Sequence, residues 1–329
     1  MSQQKTLSVI SHVSLLNGFQ IFVLKQKALF LQKKEMGNIA TTIDQQIDLL
    51  KQRGVEIEDE DKAKEMLLDI GYFRLGFYFF PFEKTYPQLA NRNHQFKEGT
   101  KFSDAYSLYY LDFDLRNILL RYIARVEVAM RTFLTYYVSN KYRNDPTWFV
   151  NDTIVNHDYS AAFNEKVYKK IRVNEAIRGH HKNHPKDKYA PAWKTIEFMT
   201  FGEVITLYSN LRCTDDKLAI SRHFSINQTS VFGNYLQTLR YLRNVCAHGG
   251  QIFRLTLPQT AKNGPAGTFD NNQKNKFYAC VSILRYFVHQ ISTNRETQMM
   301  DSINEIFDLF KKNNSHLMGI VVGSSAYQR

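Results

Sequence analysis

Three side chains near residue 245 have the types and spacing to handle a phosphodiester: Arg243, Asn244 and His248, in the run Arg243-Asn244-Val245-Cys246-Ala247-His248. A guanidinium holds a phosphate through paired N–H donors and neutralises charge developing on it. An imidazole titrates near neutrality, so a histidine can take the proton from a ribose 2′-hydroxyl or return one to a leaving 5′-oxygen. Asn244 would orient the histidine or the phosphate. The plain alternative is structural, because arginine and histidine near a helix C-terminus also interact favourably with the dipole and the free carbonyls.

The element that must position them is a helix over residues 232–248. At about 100° per residue, Phe232, Tyr235, Leu236, Leu239, Leu242 and Cys246 fall on one stripe, and Gly249-Gly250 is a strong stop signal. Arg243 falls within that stripe, where a buried guanidinium needs a partner or a ligand. Asn244 and His248 are four apart and share a flank. Arg243 and His248 are roughly 140° apart around the axis, so a regular helix does not bring them together. Either the last turn distorts at the cap, or a second copy of the helix supplies the other half.

Composition narrows the partners. With 329 residues, 43% hydrophobic and 22% charged, the chain is long enough for a sizeable core and is not of the disordered type. The net charge of +12, without an expected membrane span, points to an anionic polymer, nucleic acid first, with plain solubility charge as the alternative. Three cysteines, Cys213, Cys246 and Cys280, are odd in number and lack metal-ligand spacing, which fits a reducing cytoplasm. The apolar run over residues 15–31 is broken by Asn17, Gln20, Lys25, Gln26 and Lys27, so neither a secretory signal nor a spanning helix is expected. Residues 1–35 read as an extension of uncertain order, and Met36 is an alternative start.

Residues 36–100 read as a small helical subdomain. Thr41-Thr42 caps a helix to Arg53, Glu58-Asp59 precedes a second over residues 60–70, and Gly54 and Gly71 close them. An aromatic run follows: Tyr72, Phe73, Phe77, Tyr78, Phe79, Phe80 and Phe82 surround Arg74. It reads as core rather than as a base-stacking platform. Residues 83–100 read as an exposed connection.

The main helical domain is expected over residues 101–312. A scaffold helix over residues 103–142 repeats Leu108, Leu111, Leu115, Ile118, Tyr122, Val126, Ala129, Phe133 and Tyr137 at three- and four-residue steps. Glu127 and Arg131 form an i,i+4 pair, read as a local ion pair or as a support for Arg243. Residues 141–192 are polar and basic. Their histidines His180, His181 and His184 lack the further ligands of a closed zinc site, and no metal is expected. Short helices are expected over residues 194–199 and 202–211, the latter capped by Thr200. A further helix runs from Thr214 to about Phe224, and Thr229-Ser230 caps the helix of the Arg-His run. After it, residues 258–275 read as a mobile loop, residues 275–291 and 301–312 as closing helices, and residues 313–329 as a tail without clear period. Gly-rich phosphate loops, H-E-x-x-H and G-x-S-x-G are missing from the sequence, so nucleotide hydrolases, zincins and serine hydrolases gain no support.

The run from Leu239 to His248 resembles the Abi-like (AbiD/AbiF) abortive-infection family, and Arg243 to His248 resembles the R-x4-6-H signature of HEPN domains. Further blocks follow in family order: R-G-x-x-I-x-D-x-x-x-A at residues 53–63, the aromatic run from Gly71, Phe113-Asp114-Leu115-Arg116, Glu127 with Arg131, and W-x-x-x-E-x-x-x-F-G from Trp193 to Gly202. The resemblance spans about residues 38–255. Gly249-Gly250 replaces the second basic or histidine residue usual after the motif.

That resemblance implies an all-α, HEPN-type helical bundle that dimerises through the motif helices and cleaves RNA in phage defence. It implies no cofactor, with Arg243, Asn244 and His248 as the catalytic set and a 2′,3′-cyclic phosphate with a 5′-hydroxyl as products. Arg74, Arg116, Arg125, Glu127, Arg131, Arg240, His181 and Lys182 are the candidates for binding RNA or supporting the site. RNA is the expected partner, as substrate and as a structured noncoding RNA, and no membrane partner is expected. A binding module that holds RNA or a protein without cleaving is the rival from another class.

Overall fold

The computed structural model describes residues 39–327; the expected extension over residues 1–35 and the alternative start at Met36 lie outside the described residues. The fold is all-α, as expected: among the described residues the only β pairing consists of isolated bridges. Two compact units form.

The first unit comprises residues 39–76 with Phe82–Phe102. Its α1 (Ile43–Gln52) starts in a capping box, with the Thr42 side chain accepting from Gln45 N–H and the Gln45 side chain accepting from Thr42 N–H. Its α2 (Glu60–Asp69) starts at Asp59, whose carboxylate accepts from Lys62 N–H at 2.9 Å. Ile47, Leu50, Ala63, Met66 and Leu67 form their shared buried face. The segment over residues 83–100 is an exposed connection over most of its length, as expected, and is anchored at a few buried points. Glu83 is buried and held by Arg92 (Nε to Oε2, 2.9 Å) and His94 (3.0 Å), and Phe96 is buried. Burying a carboxylate demands such partners, and they turn a polar segment into a fixed one.

The aromatic run is α3 (Tyr72–Phe79) continued by a 3-10 turn over Phe80–Phe82. Tyr78, Phe79, Phe80 and Phe82 are buried, in line with a core role, while Phe73 and Phe77 are exposed.

The second unit holds Phe77–Pro81 and residues 103–327. Its spine is α4 (Phe102–Lys141). The buried stripe runs as expected through Leu108, Leu111, Leu115, Tyr122 and Val126, with Ile123 buried beside Tyr122, while Leu119, Met130, Leu134 and Val138 are buried in place of the expected Ile118, Ala129, Phe133 and Tyr137. At those four turns two neighbouring side chains compete for the core, and an aliphatic one takes it. Phe133 and Tyr137 turn to the flank, where Phe133 stacks on His223 with centroids 3.5 Å apart and the Tyr137 hydroxyl donates to Asp216 at 3.3 Å.

Residues 141–192 contain more order than their polar texture suggests: α5 (His157–Phe163), a π-helical stretch over Asn164–Tyr168, α6 (Lys169–Ile171) and α7 (Glu175–Asn183). Trp148, Phe149, Phe163 and Tyr168 are their buried core. The short α8 (Ala192–Thr195) runs into a 3-10 turn over Ile196–Phe198. Then α9 (Phe201–Asn210) opens on a Thr200–Glu203 capping box and α10 (Thr214–His223) follows.

The motif helix is α11 (Thr229–Ala247), with α9, α10 and α12 (Phe277–Ile291) packed around it. Its N-cap is Gln228, without a side-chain cap bond, rather than Thr229 or Ser230. α13 (Thr293–Asn313) starts well before the expected residue 301. The tail is α14 (Met318–Ser325) after a 3-10 turn over Ser315–Leu317. It shows no period in the sequence because Gly-Ile-Val-Val-Gly is small or apolar all round. His316 Nε2 pairs with Asp104 Oδ1 at 2.8 Å, tying the tail to the first turn of α4.

Candidate functional site

The stripe of α11 is buried as its spacing demands: Phe232, Tyr235, Leu236, Leu239 and Leu242 are 0% exposed and Cys246 is 4% exposed. Burial pushes the Cys246 thiol up to about 12, so it is a core side chain and not a nucleophile. Arg243 departs from expectation. It is half-buried at the edge of the stripe, where its stem can lie along apolar surface while its head reaches water, so it needs no buried partner. Its Nη1 donates to Asn244 Oδ1 at 3.4 Å. Asn244 and His248 are exposed. All three motif side chains are thus accessible from solvent on a helix whose opposite face is fixed in the core.

The helix ends regularly. His248 N–H donates to Asn244 C=O at 3.0 Å, Gly249 N–H to Cys246 C=O at 3.2 Å and Gly250 N–H to Val245 C=O at 2.8 Å. This is a Schellman closure, with Gly249 at φ +67° as the left-handed residue. Gly250 has its own constraint, since a Cβ there would sit 2.9 Å from Val245 Cγ1. The last turn is not distorted, so the cap does not bring Arg243 and His248 to one face.

Just past the glycines the chain is clamped to α4. Arg116, only 4% exposed, donates from Nη1 to Gly250 C=O (3.1 Å) and to the Tyr78 hydroxyl (3.3 Å). Tyr78 donates to Asp112 Oδ2 (3.1 Å), and the fully buried Asp112 also accepts from Ile252 N–H (2.8 Å) and Phe253 N–H (2.9 Å). Burial pushes the Asp112 carboxyl up to about 6, against the two backbone donors, Arg116 and Tyr78, which all favour the ionised form. Burial likewise pushes the Tyr78 hydroxyl up. Arg116 therefore supports the helix exit. Its guanidinium also lies over the rings of Tyr109 and Phe113. Asp112 and Tyr78 were not singled out from the sequence. The available signal was a carboxylate and a guanidinium at i and i+4 inside an otherwise apolar stripe.

Arg131 and Glu127 are paired at 3.0 Å, and Arg131 Nη2 donates to Met199 C=O at 2.9 Å, fixing the turn before α9. Arg240 is exposed, donates to Gln237 Oε1 at 3.3 Å, and lays its guanidinium across Gly202, where a Cβ would be 2.9 Å from Nε. The W-x-x-x-E-x-x-x-F-G block thus ends on the glycine that lets α11 present this arginine. Arg125 is exposed on α4. Arg74 is exposed on the first turn of α3, in the other unit.

His181 and Lys182 lie on α7. Lys182 is exposed, and His181 Nε2 pairs with the Tyr168 hydroxyl at 2.8 Å, with burial and then Arg172 pushing its imidazole down. His180 is buried, bonds Asp187 Oδ2 at 3.0 Å and stacks on His184. Among the described residues no group of three or more His, Cys, Asp or Glu side chains is arranged to hold a metal ion. No described helix is long and apolar enough to cross a membrane.

The segment after the clamp, expected as a mobile loop, has no helix or strand but is tied down at several points. Asn234 is buried in α11, donates to Thr260 C=O (3.0 Å) and accepts from Lys262 N–H (2.8 Å), while Leu257 and Ala261 N–H donate to Asn275 and Lys274 C=O, both at 2.7 Å.

No curated protein and no solved structure matches the chain significantly. A family model described as Abi-like protein matches residues 65–254, from α2 through the motif helix to the residue after the Asp112 clamp. That span is more than half of the 329 residues, and the chain belongs to the Abi-like protein family.

Proposed function

We propose that the protein is a metal-independent endoribonuclease of HEPN type, with a composite site made by two copies of α11. Membership of the Abi-like family suggests abortive infection in phage defence as the setting, and the cytoplasm is the compartment that chemistry on cellular RNA requires. The observation that carries the reading is the accessibility of Arg243, Asn244 and His248 on one helix end held by the Schellman closure and Arg116.

His248 acts as general base toward the 2′-hydroxyl or as general acid toward the 5′-oxygen. Arg243 holds the scissile phosphate and neutralises charge on it. Asn244 orients the histidine or the phosphate. The regular last turn keeps Arg243 and His248 roughly 140° apart, which supports a partner copy supplying what one protomer cannot. The charge of +12 serves the approach of RNA.

The same charge favours the rival module that binds RNA without cutting it. One experiment separates them. Purified protein with total RNA in EDTA is compared with Arg243→Ala and His248→Ala, alongside a light-scattering mass. Cleavage by a dimer, lost in both variants, supports the enzyme. Intact RNA with retained, salt-sensitive binding supports the module.

A further inference from the structure

A groove of about 320 Å³ runs beside the motif residues. One wall is the flank of α11 carrying Gln237, Tyr241 and Asn244, and the other is Leu257, Pro258 and Gln259. We infer that this groove holds one unpaired nucleobase of the RNA, next to the nucleotide whose phosphate is cleaved; the inference rests on the proposed ribonuclease reading and extends it to base recognition.

Four observations carry it. The groove is preformed, since Asn234 brackets its far wall through Thr260 C=O and Lys262 N–H, and Leu257 is buried beneath it. Its size lies at the low end of small-molecule sites, about 300–1,000 Å³, enough for a single ring system rather than a folded RNA element. Its chemistry suits a base: a half-buried tyrosine and a proline offer apolar surface for a planar ring, and three side-chain amides line the edge. Gln237 and Asn244 accept from Arg240 and Arg243 through their oxygens, which leaves their NH2 groups as donors for a ligand.

Register is the fourth. Residues 237, 241, 244 and 248 follow one another at helical steps along a single flank, so His248 is the next position on that flank beyond the groove's Asn244. Asn244 and His248 are about 6 Å apart along the axis at 1.5 Å per residue, within one nucleotide's reach. Arg240 stands at the rim, where a guanidinium can meet the flanking phosphate.

The test uses the full chain carrying His248→Ala, so that RNA survives, in anisotropy titrations with labelled single-stranded oligoribonucleotides and an abasic strand of the same length. Adding Tyr241→Ala weakens the base-bearing RNA about tenfold, at the scale of one lost base stack, and leaves the abasic strand unchanged; Tyr241→Phe keeps the affinity. Gln259→Ala, an exposed loop change that does not threaten folding, alters the order of affinity among oligo-U, oligo-A, oligo-C and oligo-G. Equal weakening of both strands, or unchanged affinity and base order, overturns the groove. Failure of the wild type to cleave in EDTA counts against the ribonuclease reading alone, because the titrations still decide the groove.

Discussion

Arg116→Met tests how the exit of the motif helix is held. Methionine keeps an apolar stem over Tyr109 and Phe113, so little cavity opens. The guanidinium is lost, and with it the 3.1 Å bond to Gly250 C=O and the 3.3 Å bond to Tyr78. A hydrogen bond to a charged group contributes about 1.5–3 kcal/mol, and protonation of the carboxyl offsets much of the cost of leaving it without its cation, for a net loss of about 2–4 kcal/mol. Asp112, fully buried and already raised to about 6, rises further without Arg116 and becomes a weaker acceptor for Ile252 and Phe253 N–H. Amide hydrogen exchange at those two residues reads this locally, and at about 1.4 kcal/mol per tenfold it accelerates by roughly 30-fold to 700-fold. Exchange within about threefold of wild type, in a variant with unchanged far-ultraviolet dichroism, would refute the clamp.

Asp112 also sets a pH dependence. A carboxyl raised from its ordinary value to about 6 in the folded state binds more protons there than when unfolded, so its contribution is fully present below pH ~4 and lost as pH rises through 6. The difference in denaturation free energy between wild type and Asp112→Asn therefore shrinks from pH 7 to pH 8 hardly at all, but changes steeply between pH 4.5 and 6.5; parallel profiles would contradict it. Gly249→Ala forces a side chain into the left-handed region at φ +67° and lowers thermal stability by about 1–2 kcal/mol, measured by calorimetry. Gly202→Ala fills the space under Arg240 with a Cβ 2.9 Å from Nε, so RNA affinity falls while helix stability holds or rises by about 0.5–1 kcal/mol. Arg240→Ala reduces the slope of log affinity against log salt by about 1 in RNA titrations.

Much of the local structure was legible in the residues. Thr42 and Thr200 announce their helices through side-chain oxygens with a Gln or Glu three residues on, and both capping boxes form. The stripe of α11 was readable because its large apolar side chains leave one way to bury them. Other features depend on distant partners. Asp112 meets backbone donors about 140 positions away, so its spacing from Arg116 marks it as unusual within the stripe but cannot tell which backbone it holds. The wall formed by Leu257 to Gln259 depends on Asn234, a polar residue whose two bonds to backbone are invisible to periodicity. Angle alone puts Arg243 within the stripe, whereas its long stem lets the charge reach the edge. The drift of the α4 stripe reflects competition between adjacent apolar residues, which a wheel cannot rank.

The most direct measurement is cleavage of one defined RNA at a mapped bond, in EDTA, with the natural ribose or with a single 2′-deoxyribose on the 5′ side of that bond. The account predicts a 2′,3′-cyclic phosphate from the first and an intact bond in the second, with Arg243→Ala and His248→Ala inactive on both. Equal cleavage of the deoxy-substituted strand, or full activity in either variant, would contradict it.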